Sequence, residues 1–246
     1  MQQYAHLLFH GPLTDFLPKA RRQKWVRYPF QFQATLKDVV EALGVPHPEI
    51  GRLLVNGLEA TFSDLVQDGS RVEVFPVVAE TAGSALPPLQ VPASRPIRFV
   101  LDVHLGKLAR YLRLLGVDSL YETHYDDKTL ADLAAREQRV VLTRNVGLLK
   151  LKQVVTGYWL RSQHLEEQLQ EVMMRFGLRE QVNPFTRCMA CNGPIGLVAK
   201  ETVLDQLPPK TKQYFEEFYQ CAHCQRVYWK GSHFDKMQLF LQSLEL

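Results

Sequence analysis

The four cysteines of this 246-residue chain fall into two pairs, Cys188-x-x-Cys191 and Cys221-x-x-Cys224, with 29 residues between the pairs. No other feature restricts the fold so tightly. Each C-x-x-C turn lets two thiolates reach one tetrahedral ion. Two such turns make a four-cysteine site of ribbon type, slightly wider than the commonest spacing. Four thiolates leave no open coordination position, so the expected ion is a structural zinc. It would supply on the order of 10 kcal/mol of the folding energy of the module around it. His223 and His233 are competing ligands that a complete cysteine set does not need. The start of the chain, MQQYAHLLFHGPL, has neither the basic opening nor the long apolar core of an export signal. Reduced, metal-bound cysteines in a cytoplasmic protein are therefore expected rather than disulfides. No apolar run approaches the roughly 18 to 20 residues that span a bilayer, so no membrane partner is expected.

Upstream, Arg95 to Gly116 reads RPIRFVLDVHLGKLARYLRLLG. Ile97 to Val103 has the short apolar character of a buried strand, with Asp102 near its end. Leu105, Leu108, Ala109, Leu112 and Leu115 then recur at helical spacing, and Lys107, Arg110 and Arg113 fall on the opposite side. Gly116 ends the helix. A carboxylate at the C-terminal end of a parallel strand lies where open α/β sheets place ligands. The competing reading is an aspartate that only caps the next helix.

Strand and helix patterns continue to alternate. Val117–Tyr121 and Arg139–Thr143 read as strands and Asp127–Gln138 as a helix. A short helix over 145–151, a strand over 155–161 and an amphipathic helix over 163–176 follow. Repeated β-α units predict an α/β domain over 96–180, with a parallel sheet and helices on both faces. Its polar residues follow the strands: Asp102, then Asp126 and Asp127, then Thr143, Arg144 and Asn145. Carboxylates gathered without a fixed positive partner repel one another, and a hard divalent cation, magnesium or manganese, relieves this. Such an ion can promote phosphoryl chemistry. A helix N-cap is the competing reading for each residue taken singly. No G-x-x-x-x-G-K or G-x-G-x-x-G loop supports nucleotide binding.

Residues 1–80 carry a ββαββ pattern, that of a β-grasp. Strands are expected at 4–9, 25–32, 53–55 and 71–77, with a helix over 35–43 capped by Thr35 with Asp38. Asn56-Gly57 is a hairpin signal. LLVNGLEA and LVQDGSRVEVFPVV resemble the ubiquitin-like sulfur carriers. The chain runs on past Pro76 instead of ending in a free Gly-Gly, so interaction or scaffolding is expected rather than sulfur transfer. Residues 81–95, rich in Pro, Ala and Ser, read as a linker, and 181–246 as the zinc ribbon with a closing helix. The formal charge, +3, does not by itself imply nucleic acid. Lys and Arg number 14 against 11 Asp and Glu in residues 91–180, 8 against 9 before and 7 against 6 after. Aromatics beside the cysteine pairs, from Tyr214 to Trp229, are interleaved with Lys210, Lys212, Arg226 and Lys230. They suit either stacking on single strands or the module's own core.

FVLDVHLGKLARYLRLLGVDSLY, the Asp126-Asp127 pair, RVVLTRNVGLLK, RCMACNGPI and CAHCQRVYWKGSHFDKM together resemble the Mut-seven C-terminal RNase domain. That is a PIN-like domain with a built-in zinc ribbon. The N-terminal part resembles the ubiquitin-like module that precedes it in many bacterial members. The resemblance implies a metal-dependent ribonuclease acting on RNA. Asp102 matches the first acidic position, and Asp126 and Asp127 the second. Asn145 stands where PIN-like nucleases usually carry another aspartate, and an amide is the weaker ligand for a hard cation. The expected activity is an endoribonuclease in which Lys107, Arg110 and Arg144 hold the RNA backbone. The alternatives are a non-catalytic RNA-binding protein, and an adaptor whose ubiquitin-like domain docks a protein partner.

Overall fold

Alternating burial along β1 (Gln3–Phe9) puts Ala5, Leu7 and Phe9 in a core and the residues between them toward solvent. This is the period-2 pattern of a strand with one buried face. The computed structural model describes residues 2–77, 89 and 93–244, so most of the expected linker, 81–95, lies outside the described residues. β1 pairs antiparallel with β2 (Val26–Phe30). α1 (Leu36–Ala42) opens with a complete capping box, in which the Thr35 hydroxyl accepts from the Asp38 amide and the Asp38 carboxylate accepts from Thr35. Those bonds hold the Asp38 carboxyl below its usual range. β3 (Ile50–Val55) turns through Asn56-Gly57, both at positive φ, into β4 (Leu58–Ala60). β5 (Arg71–Pro76) lies parallel to β1. The sheet order β2-β1-β5-β3-β4 buries Leu36, Val39 and Val40 of the helix against one face. This is a ubiquitin-like domain.

β6 (Phe99–Leu101) is wholly buried and leads through a 3-10 turn, Val103–Leu105, into α2 (Gly106–Leu114). β7 (Ser119–Leu120) runs parallel to β6, with Phe99 opposite Ser119. α3 (Asp127–Glu137) ends at Gln138, which adopts the left-handed conformation. β8 (Val140–Thr143) follows, then α4 (Val146–Leu149), then β9 (Gly157–Trp159), parallel to β8. α5 (Leu165–Phe176) stops at Gly177. The C-terminal part holds β10 (Ile195–Val198), α6 (Lys200–Val203), α7 (Pro209–Tyr214), β11 (Phe218–Cys221), β12 (Val227–Trp229) and α8 (Ser232–Ser243). β10, β11 and β12 form an antiparallel ribbon.

These elements group into two units. One comprises Met1–Arg95 with His124–Leu160, the other Pro96–Thr123 with Arg161–Leu246. In the first, the ubiquitin-like domain meets the segment around β9. Glu49, 3% exposed, accepts the Trp159 amide at 2.6 Å. His47 lies 2.9 Å from the Val154 carbonyl through Nε2. Lys150 Nζ donates to the Glu41 carbonyl at 2.6 Å, and the rings of Phe16 and Trp159 are 5.0 Å apart. In the second, α2 packs on α5, and Phe176 meets Phe99 edge-on. Among the described residues, no helix is long and apolar enough to cross a membrane.

Candidate active site and metal centre

The ribbon brings all four cysteines together. One sulfur from each lies within 4.8 Å of every other. Cys188 and Cys224 are 3.6 Å apart and Cys191 and Cys221 3.4 Å, far beyond the roughly 2.05 Å of a disulfide. Thiolates about 2.3 Å from a zinc ion would be separated by close to this distance. The donor set therefore fits one soft, tetrahedral ion. Left-handed residues make the tight turns: Asn192 follows the first pair and Gln225 the second. Backbone amides point inward, Cys191 N–H to Cys188 Sγ and His223 N–H to Cys221 Sγ. A Cβ on Gly193 would come within 2.9 Å of Cys221 Sγ, so the turn needs glycine. Burial alone would raise the Cys188 thiol. The Tyr228 hydroxyl, 3.0 Å from its sulfur, and the amides of Cys191 and Ala190 instead hold it at about 6. Burial, reinforced by the thiol of Cys221, pushes Cys191 up to about 12. His223 and His233 are exposed.

Arg113 corrects an expectation. Helical spacing puts it on the charged side of α2 with Lys107 and Arg110, but it is 3% exposed. The last turn of α2 is covered by the first cysteine turn. The Arg113 guanidinium donates there to the carbonyls of Ala190 (2.8 Å) and Met189 (3.3 Å), and on the other side to Ser119 (2.8 Å) and Tyr121 (3.4 Å). Burial lowers its pKa. Asn192 completes the join, accepting the Ser119 amide and donating to Asp118. Nothing in the sequence marks either residue, because an arginine on a polar helix face normally reads as exposed.

The acidic residues divide between the two units. Asp102, 4% exposed, closes β6, and its Oδ1 accepts the His104 amide at 2.8 Å, capping the turn before α2. Asp126 caps α3 by accepting the Thr129 amide at 2.8 Å, and that bonding lowers its pKa. Asp127 and Asn145, 18 residues apart, are brought together. Asn145 Nδ2 donates to Asp127 Oδ2 at 2.8 Å, while its Oδ1 accepts the Gly147 amide at 2.9 Å. The Asn145 backbone N–H in turn donates to the Thr143 hydroxyl. The capping reading thus holds for Asp102, Asp126 and Asn145. The carboxylates are hard donors suited to magnesium or manganese. Asn145 instead offers Asp127 a hydrogen-bond donor and uses its own oxygen as a helix cap. Lys107 and Arg110 are exposed on α2, and Arg144 is half-buried after β8, its carbonyl accepting the Trp159 indole N–H.

The Mut7-C ubiquitin model matches residues 2–82 and the Mut7-C RNAse domain model residues 97–241. A human protein, "Exonuclease mut-7 homolog", is 35% identical over 138 residues. The match covers 54% of this chain and 15% of that protein, so the chain spans a small part of that relative's length. The solution structure of the Haloferax volcanii HVO 2177 protein is 22% identical. It covers 32% of this chain and 88% of its own, with a TM-score of 0.28. Since the RNAse domain model spans β6 through most of α8, cysteine cluster included, the chain belongs to the Mut7-C RNAse domain family.

Proposed function

We propose that this chain is a metal-dependent endoribonuclease working in the cytoplasm. Asp102 with Asp126 or Asp127 would hold magnesium or manganese, assisted by Asn145, and the four cysteines would hold a structural zinc in a PIN-like domain's ribbon. The observation that carries the reading is the family match over the segment that contains every one of these carboxylates. The pairing of Asp127 with Asn145 after β8 supports it. When bound, the divalent ion supplies charge neutralisation and water activation at the phosphodiester. Lys107, Arg110 and Arg144 attract and align the RNA backbone electrostatically. Asn145 fixes the orientation of the Asp127 carboxylate. The ubiquitin-like domain serves a protein partner.

A second reading, RNA binding without cleavage, is favoured by one observation. The Asn145 oxygen is committed to Gly147, which removes one oxygen from the donor set.

The test is cleavage of RNA labelled at either end, with manganese or magnesium, by the full chain and by Asp102→Ala and Asn145→Asp. Internal cuts from both labels, lost in Asp102→Ala, are expected. Release of single nucleotides from one end would replace the endonuclease reading by an exonuclease. Binding without any cleavage would select the second reading.

A further inference from the structure

A cavity of about 330 Å³ opens within the second unit between the ribbon and α8. That is the small end of the range for ligand sites. Its lining includes the aromatic residues Phe185, Tyr219, Tyr228 and Phe234, with Trp229 beside them in β12. Tyr219 and Tyr228 are directly opposed across β11 and β12. The Tyr228 hydroxyl is tied to Cys188, so its ring is fixed relative to the cysteine cluster. Facing them, Phe185 and Phe234 lie 4.5 Å apart, tilted by 35°. Phe185 is held at φ +63, a conformation uncommon for a bulky residue, while its amide donates to the Leu114 carbonyl. Such strain persists where the surroundings over-determine it, and it clusters at ligand sites.

The charge of the lining narrows the occupant. It contains two cations, Arg187 and Lys230, and no carboxylate. Arg187 is braced by the Gly116 and Asn192 carbonyls and lies 3.4 Å from Asp118. Lys230 is half-exposed, bonds Glu217 at 2.9 Å and sits 5.9 Å from the centre of the Tyr219 ring. Glu217 also accepts from the Tyr219 hydroxyl, so the acids lie outside the lining and share its cations. An aromatic slot with no acid in its lining and an exposed lysine at its mouth suits a flat ring carried on an anionic chain. An acidic or purely apolar peptide would use only half of it.

We propose that this cavity is a subsite for one unstacked base of single-stranded RNA, with Lys230 toward the adjoining phosphate. The proposal rests on the RNA substrate argued above and adds a site outside the carboxylates. Aromatic stacking tolerates any base, so the subsite would select for single-strandedness rather than for sequence.

The test measures anisotropy of a labelled octa-uridylate bound to the full, zinc-loaded chain without magnesium or manganese, which separates binding from cleavage. It is compared with the same oligomer carrying a central run of abasic sugars at unchanged charge. The intact oligomer should bind about 5- to 150-fold more tightly. Tyr219→Leu and, independently, Phe234→Leu should bring that ratio to near one and leave abasic binding unchanged, with zinc content confirming the fold. A wild-type ratio near one, or a ratio kept in both variants, overturns the subsite. Self-association of the wild type that either variant abolishes would assign the cavity to a second copy of the chain and also overturn it. Cleavage with a ratio near one sinks the subsite alone. A ratio that holds without cleavage sinks the nuclease reading alone.

Discussion

Asn145 places its side-chain nitrogen on Asp127 and its oxygen on the Gly147 backbone N–H, so one neutral side chain both satisfies a carboxylate and caps α4. Asn145→Asp should cost about 1 kcal/mol without divalent metal, from the lost hydrogen bond and the new repulsion. Manganese should then raise the melting temperature of the variant more than that of the wild type. Equal shifts would show that this pair takes no part in metal binding. His47 gives a pH prediction. Burial holds its pKa below the ordinary 6.5, against the opposing hydrogen bond of Glu41 at 2.7 Å. The folded chain resists the proton that the unfolded chain accepts. This contribution to stability is therefore complete above 6.5 and declines as pH falls from 6.5 toward the folded value. Urea midpoints should fall more steeply over that window in the wild type than in His47→Gln, by at most about 1.4 kcal/mol per pH unit.

Helix α2 is set by its two ends. Asp102 starts the turn before it, and Gly116, at φ +81, ends it. A Cβ at Gly116 would lie 2.1 Å from the Asn183 carbonyl oxygen, so Gly116→Ala combines backbone strain with a clash against main chain. A loss of more than about 2 kcal/mol is expected in chemical denaturation. Between these ends Arg113 ties the helix to the cysteine turn. Arg113→Met keeps the apolar stem but strands the carbonyls of Ser119 and Ala190. It should lower stability by about 3 kcal/mol and speed zinc loss to a chelator several-fold. Unchanged zinc release would mean that the cysteine turn holds its shape without the arginine.

For the molecule as a whole, the cysteine cluster is the fixed point of the C-terminal part. The ribbon's own buried core is small: Val203, Leu207 and Phe218, with partly buried neighbours. Stripping the metal should therefore unfold it, seen as lost amide protection from Cys188 to Trp229 and recovered on adding zinc. Protection that survives chelation would show that apolar packing suffices. Strand and helix positions were legible along most of the chain because each follows from local periodicity and caps: the Thr35 box, the Asn56-Gly57 turn and the stop at Gly116. The four-cysteine cluster was legible for the same reason, since a C-x-x-C spacing is itself a geometry. Arg113 was not, because the ribbon that covers it begins more than 70 residues later. Nor was the donor role of Asn145 toward Asp127, which depends on how an amide is turned by its neighbours. The sequence by itself determined the family, the order of elements up to α5 and the gathering of the four cysteines, through patterns that act over a few residues. Tertiary structure alone decided which polar side chains are buried, which meet, and that aromatic residues far apart in the chain line one cavity, because those outcomes depend on segments brought together only when the chain packs.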